Sequence, residues 1–146
     1  MKRRHFLASV VLTSCGFAAA KAEEGGQGNA TLRGKLIKDP SGKPAMQLHG
    51  GEVVILNGDA DTMGVLKDPR LAGSDFEVRG QASGPGQFSI DPIHTRALFT
   101  YKDGERLLVT YWCDVCYIRT YTPGTCWCCQ RDTALDLVDP DTVNEK

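Results

Sequence analysis

The sequence predicts a mainly β fold, a small barrel or sandwich that ends in a cysteine-rich hairpin. From residue 30 onward, short runs rich in β-branched and aromatic residues alternate with turns that contain Gly, Pro and Asp. No segment shows a long run of apolar residues at helical spacing. Five of the six cysteines fall in one window near the carboxyl end, residues 113–129. The first two observations favour short strands over helices. The third places the cysteine-rich hairpin near the carboxyl end.

Four strand candidates precede the clearest hairpin of the chain. They are Thr31–Ile37, Glu52–Leu56, Phe76–Gly80 and Phe88–Ile90. The best short helix candidate is Val65–Leu71, but Pro69 lies inside it and would interrupt a helix. Two strands, a short connector, a strand and then a hairpin form an order that resembles an OB-like barrel. The resemblance implies a closed or partly open barrel as the main body of the chain.

The hairpin is the element that the sequence specifies best. Residues 96–102 and 105–112 flank an Asp-Gly dipeptide at positions 103 and 104. That dipeptide suits the left-handed backbone angles of a type I′ turn. The two-residue loop places Lys102 opposite Glu105, which is a favourable cross-strand charge pair. The second strand runs directly into Cys113, so we expect the first cysteine pair to lie at the end of this strand.

Two C-x2-C pairs, separated by nine residues, predict a metal site. The predicted ligands are Cys113, Cys116, Cys126 and Cys129. A pair at this spacing directs two thiolates toward one ion from a tight turn, and two pairs supply a tetrahedral site. The motif resembles the paired knuckles of zinc ribbons and rubredoxins, and all-sulfur tetrahedral sites take zinc or iron. Cys128 is an alternative ligand in place of Cys129.

Other uses of these cysteines stay open. An exported domain can be stabilised by two disulfide bonds instead of a metal. Cys113 and Cys116 can also be a thiol redox pair, but such pairs need a helix N-terminus, and a β-rich run follows here. The paired spacing is more specific than a cysteine count and favours the metal. Arg119 and Arg131 are the nearest cations for a negatively charged thiolate centre, or else both are solvated strand residues.

Residues 1–22 are typical of an export signal, with a basic head, an apolar run and small residues near the end. Arg3 and Arg4 before a Phe-Leu step resemble the bacterial twin-arginine signal, with ordinary Sec export as the alternative. The segment that ends at Cys15 resembles a lipobox, which implies lipidation of Cys15 and a membrane anchor. Cleavage after Ala22 is the competing outcome. Either route implies the periplasm or the cell envelope.

The remaining chain divides by composition. We expect a flexible tether at 23–29, a β-rich OB-like domain at 30–112, a cysteine lobe at 113–138 and a polar tail at 139–146. The signal contains four basic residues and no acid, so its removal changes the net charge from −1 to −5. An acidic domain without a basic cluster argues against nucleic-acid binding.

Three function classes follow from these patterns. The first is an exported metal-binding protein with a structural zinc or an electron-transfer iron. The second is a disulfide-stabilised OB-like binding module of the envelope without metal. An enzyme is the least favoured class, because no Ser-His-Asp or paired-carboxylate pattern is present. The sequence identifies no substrate or partner.

Overall fold

The computed structural model of the chain describes residues 29–144, which contain nine strands, one α-helix and three short 3-10 helices. The strands are β1 (Ala30–Lys38), β2 (Pro44–Leu48), β3 (Val53–Asn57), β4 (Asp75–Gly84), β5 (Gln87–Ile90), β6 (Leu98–Lys102), β7 (Glu105–Cys113), β8 (Ile118–Thr120) and β9 (Ala134–Val138). The α-helix is α1 (Ala60–Leu66), and the 3-10 helices are Pro69–Leu71, Ile93–Thr95 and Thr142–Asn144. The predicted export signal, including Arg3, Arg4 and Cys15, lies outside the described residues.

The first five strands close into a barrel. Strand β1 pairs with β2 and with β4, and β2 pairs with β3, all antiparallel. Strand β3 pairs with β5 in parallel, and β5 pairs with β4 antiparallel. The order β1-β2-β3-β5-β4 therefore returns to β1, and α1 lies in the connection from β3 to β4. This closed five-stranded barrel with extra strands confirms the predicted OB-like architecture.

Apolar side chains that alternate along the strands fill the barrel. Residues of the barrel strands, α1 and the hairpin form one cluster: Leu36, Met46, Val54, Leu56, Val65, Leu66, Leu71, Phe76, Val78, Phe88, Ile90, Ala97, Leu98, Val109 and Tyr111. Two glycines allow strands to approach closely. A Cβ at Gly34 would collide with the carbonyl of Gln47, and one at Gly80 with the carbonyl of Ser89. Gly80 lies where the partner of β4 changes from β6 to β5.

The sheet continues beyond the barrel, from β4 through β6 and β7 to β8 and β9. Strand β6 pairs with the first half of β4, and the predicted hairpin of β6 and β7 is present with Lys102 opposite Glu105. Asp103 and Gly104 have φ of 53° and 83°, as the predicted type I′ turn requires. Strand β9 pairs with β7 along the whole length of β9. Strand β8 pairs with the last three residues of β7. Strand β7 therefore connects the sheet to the cysteine window, since its last residue is Cys113.

The helix begins earlier in the chain than the sequence predicts. The best helix candidate in the sequence, residues 65–71, overlaps the helix only at its first two residues, because α1 spans Ala60–Leu66. Asp59 caps this helix by accepting a hydrogen bond from the Thr62 N–H at 2.7 Å. Pro69 starts a separate 3-10 helix, as expected of a residue that cannot continue a helix. Among the described residues, no helix is long and apolar enough to span a membrane.

Candidate metal centre

Four cysteine sulfurs lie together beyond the end of β7, and every Sγ is within 4.8 Å of the other three. They belong to Cys113, Cys116, Cys126 and Cys129. The Sγ atoms of Cys113 and Cys129 are 3.5 Å apart. A tetrahedral zinc–thiolate site with bonds of about 2.3 Å has sulfur–sulfur edges of about 3.8 Å. The four sulfurs therefore have the spacing that a tetrahedral thiolate centre needs.

The two C-x2-C segments have the same backbone structure, here called the first and second knuckle (residues 113–117 and 126–130). In the first, the Tyr117 N–H donates to the Cys113 carbonyl at 2.9 Å. In the second, the Gln130 N–H donates to the Cys126 carbonyl at the same distance. Tyr117 and Gln130 have left-handed φ values of 56° and 60°. Non-glycine residues thus adopt a backbone conformation that favours glycine.

The equivalence extends to the residues that flank each knuckle. Strand pairing places Trp112 opposite Arg119 at the first knuckle, and an isolated bridge places Thr125 opposite Asp132 at the second. Both pairs have the same spacing in sequence. The Cys126 N–H also donates to the Arg131 carbonyl at 2.7 Å. The two knuckles are therefore a structural repeat, although apart from the cysteines their residues differ.

Contacts with the connection between β3 and β4 hold the residues that flank the second knuckle. The Thr133 N–H and hydroxyl donate to the Gly124 carbonyl at 2.9 and 2.8 Å. Arg70 donates to the Thr133 carbonyl at 3.3 Å and forms an ion pair with Asp68 at 2.8 Å. The Tyr111 hydroxyl donates to the same buried carboxylate at 2.9 Å. The sequence analysis did not identify this network, which joins residues far apart in the chain.

The sulfurs differ in exposure. Cys113 and Cys126 are fully buried, whereas Cys116 and Cys129 are half-buried. One side of the candidate centre is therefore closed by protein, and the other side lies near the surface. Cys128 is exposed and does not belong to the group of four. Its thiol interacts with that of Cys116 and raises the pKa of the Cys116 thiol.

Backbone N–H groups favour a thiolate at the second knuckle. The N–H groups of Cys129 and Cys128 donate to the Cys126 sulfur and lower its pKa to about 7. The Arg131 N–H favours the Cys129 thiolate, but burial and the Cys113 thiol outweigh it, and the pKa of Cys129 is raised. The knuckle backbone therefore supplies donors to the sulfurs, as zinc and iron thiolate sites require.

Thiol neighbours have the opposite effect at the first knuckle. The neighbouring Cys128 thiol, burial, and the thiols of Cys129 and Cys126 raise the pKa of Cys116. Adjacent thiolates repel one another, which limits how many of them a protein can hold close together without a cation. A divalent cation removes that limit, since a coordinating thiol is deprotonated outright. The donor set thus fits a thiophilic metal ion.

The two arginines do not have the role that sequence proximity suggests. The Arg119 guanidinium donates to Thr110 at 2.7 Å and to Asp136 at 2.6 Å, and within residues 29–144 its side-chain hydrogen bonds are to these two residues. The Arg131 side chain is exposed, and the main chain of this residue interacts with the second knuckle. The nearby donors to the thiols are therefore backbone groups.

The structure also bears on the other uses of the cysteines. All five cysteines within residues 29–144 are free, and none forms a disulfide. After Cys116 the chain enters β8 rather than a helix, so the helix N-terminus that a thiol redox pair needs is missing there. The geometry of the four sulfurs and their lack of disulfides thus mildly favour a metal site.

Comparison of this chain with family models, with curated proteins and with solved structures found no match.

Proposed function

We propose that this chain is an exported bacterial metal-binding protein that holds one zinc or iron ion. The ligands are Cys113, Cys116, Cys126 and Cys129. The observation that supports the proposal is the convergence of four free thiols within 4.8 Å of one another on two equivalent knuckles. An all-sulfur tetrahedral site is typical of zinc or iron and not of calcium or magnesium.

The distribution of the hydrophobic core supports a structural role for the ion. Residues 113–133, here called the knuckle segment, contribute no side chain to the core cluster of the described chain. The buried apolar residues of the cluster belong to the barrel, α1 and the hairpin, and β9 adds only partly buried side chains. A segment without its own core needs another source of stability, and metal binding supplies it in small cysteine-rich units.

Electron transfer by iron is the second candidate function. Cys116 and Cys129 are half-buried, so two of the sulfurs lie near solvent. Tyr117 and Trp127 are 75% and 72% exposed on the two knuckles. A single iron in this position is accessible to a partner protein. An iron–thiolate absorption spectrum in the purified protein would favour this function, whereas a colourless zinc protein would favour the structural role.

The proposal that the protein is exported is based on residues 1–22, whose basic head and apolar run are typical of a signal peptide. A twin-arginine route exports folded proteins, so that thiols bind metal in the reducing cytoplasm before they meet an oxidant. Mass spectrometry of the mature protein tests the cleavage site. A chain that begins at a lipid-modified Cys15 becomes soluble in a Cys15→Ala variant, whereas a chain cut after Ala22 is soluble in both forms.

The decisive experiment combines element analysis with thiol counting on protein from the periplasmic or membrane fraction. We expect about one zinc or iron per chain and, after unfolding without reductant, at least four alkylatable thiols. A Cys126→Ser variant should lose the metal. The matched Cys128→Ser variant should keep it, because Cys128 lies outside the group of four. A metal-free protein with two disulfides would refute the proposal and favour the disulfide-stabilised OB-like binding module.

A further inference from the structure

An aromatic cleft lies beside the cysteine centre, and none of its described lining residues is a cysteine. Its volume is about 560 Å³. Its principal lining residues are Trp112, Tyr117, Arg119, Tyr121, Val138 and Val143. Sites for small molecules typically have volumes of about 300–1,000 Å³, with mostly apolar and aromatic walls and a few polar groups. The cleft has the size and the composition of such a site.

Tyr117 is the least expected of these residues. Its left-handed φ of 56° disfavours a side chain with a Cβ. Burial does not compensate, because the residue is 75% exposed. Its ring meets that of Trp112 edge-on, with centroids 6.2 Å apart and an interplanar angle of 69°. The backbone of the first knuckle therefore places a largely free aromatic surface at the edge of the cleft.

Arg119 supplies hydrogen-bond donors to the same cleft. One terminal nitrogen donates to Thr110 and Asp136, and the guanidinium lies 5.2 Å from the centre of the Trp112 ring. Within residues 29–144, its Nε and second terminal nitrogen make no hydrogen bond. The side chain is only 27% exposed. Unused charged donors in a half-buried position favour an anionic acceptor.

We propose that this cleft binds a small planar aromatic carboxylate. The ring of the ligand packs against Trp112, Tyr117 and Tyr121, and its carboxylate accepts hydrogen bonds from Arg119. None of the lining residues is a candidate metal ligand, so the site goes beyond the proposed metal function. Trp112 and Tyr117 directly adjoin Cys113 and Cys116, and the ordered first knuckle therefore forms one wall.

The test uses the full metal-loaded protein and 2-naphthoate as the probe. The indole N–H signals of Trp112 and Trp127 are followed by nitrogen-15 NMR during a titration. We expect a saturable shift of the Trp112 signal with a Kd of about 1 mM or lower, as for an efficient ligand of this size. Trp127 is outside the cleft and serves as the internal control. The neutral analogue 2-naphthalenemethanol should bind about tenfold more weakly, because it lacks the charge-assisted hydrogen bonds.

Paired glycine variants separate ligand binding from backbone strain. Tyr117→Gly removes an aromatic wall and should weaken binding about fivefold. Gln130→Gly makes the same backbone change in the second knuckle and should leave the Kd unchanged. If Tyr117→Gly impairs folding, Tyr121→Leu removes another wall and should weaken binding similarly.

Three results would overturn the proposal. The first is no saturable shift of Trp112 at about 5 mM probe, well above the expected Kd. The second is an equal shift of Trp127, and the third is an equal loss of binding in both glycine variants. Metal content is measured in the same samples. If the purified protein contains no metal and still binds the probe, the metal function is refuted and the cleft proposal stands.

Discussion

Metal removal provides a direct test of how the cysteine segment is stabilised. We expect a strong chelator at neutral pH to release residues 113–133 while the barrel stays folded. The physical reason is that the core cluster has no member in this segment. The hydrogen bonds of the knuckles, from Tyr117 to Cys113 and from Gln130 to Cys126, both at 2.9 Å, then depend on the metal.

The expected size of the effect follows from linkage. A metal present at about 1,000 times its Kd stabilises the folded segment by about 4 kcal/mol. Its removal should therefore lower the hydrogen-exchange protection of the knuckle amides by about 1,000-fold. Barrel amides should keep their protection. The N–H of Leu36, bonded to Ser74 at 3.0 Å, and the N–H of Arg79, bonded to Ala97 at 2.9 Å, are suitable reporters.

Hydrogen exchange monitored by NMR, with and without chelator, measures both groups of amides in one sample. The Cys128→Ser variant is the control and should behave like the parent protein, because its thiol lies outside the group of four. Undiminished protection at Tyr117 and Gln130 after metal removal would show that the segment is stable by itself. Loss of protection at Leu36 and Arg79 as well would show that segment and barrel unfold together, and would also refute the reasoning.

Three further predictions concern stability, each measured by urea unfolding of the metal-loaded protein. Gln130→Gly should be about 1 kcal/mol more stable than Gln130→Ala, because φ is 60° there; equal values would contradict this. Tyr111→Phe should cost about 2 kcal/mol at pH 7, because it removes a hydrogen bond to the buried Asp68 carboxylate. Gly80→Ala should lower the free energy of unfolding by more than about 2 kcal/mol, because its Cβ would collide with the Ser89 carbonyl. Gly50→Ala, where the added Cβ meets open space, should leave the free energy of unfolding nearly unchanged.

The Tyr111→Phe prediction has a pH dependence. Burial raises the pKa of Asp68, but hydrogen bonds from Arg70 and Tyr111 outweigh it, so this pKa lies below its usual value. A carboxyl with a lowered folded-state pKa contributes stability above its unfolded pKa of about 3.9 and loses it as the pH falls through the folded value. The difference between parent and variant should shrink in that acidic range. A difference that is constant down to pH 2 would contradict the role of the charge.

Local patterns in the sequence account for the hairpin and for the cysteine pairs. The Asp-Gly turn sets the register of β6 and β7, because a two-residue loop allows few pairings. Each C-x2-C pair places two thiols on one tight turn, and the short spacer keeps the two turns near each other. The strand preference of the first, third, fourth and fifth strands was also readable from their residues. Strands β2 and β9 were not predicted, since Pro44 and the polar surroundings of β9 weaken the local pattern.

Long-range contacts supply the rest, and their partners are not visible in any local window. The parallel pairing of β3 with β5 closes the barrel, and the bond from Tyr111 to Asp68 joins residues 43 positions apart. The left-handed backbone at Tyr117 and Gln130 follows from the knuckle geometry, because neither residue type favours it. The aromatic cleft combines residues of β7 and β8 with Val138 and Val143 near the chain end. Turn chemistry and ligand spacing act over a few residues and can be read from the sequence, whereas barrel closure and the cleft depend on which distant surfaces pack together.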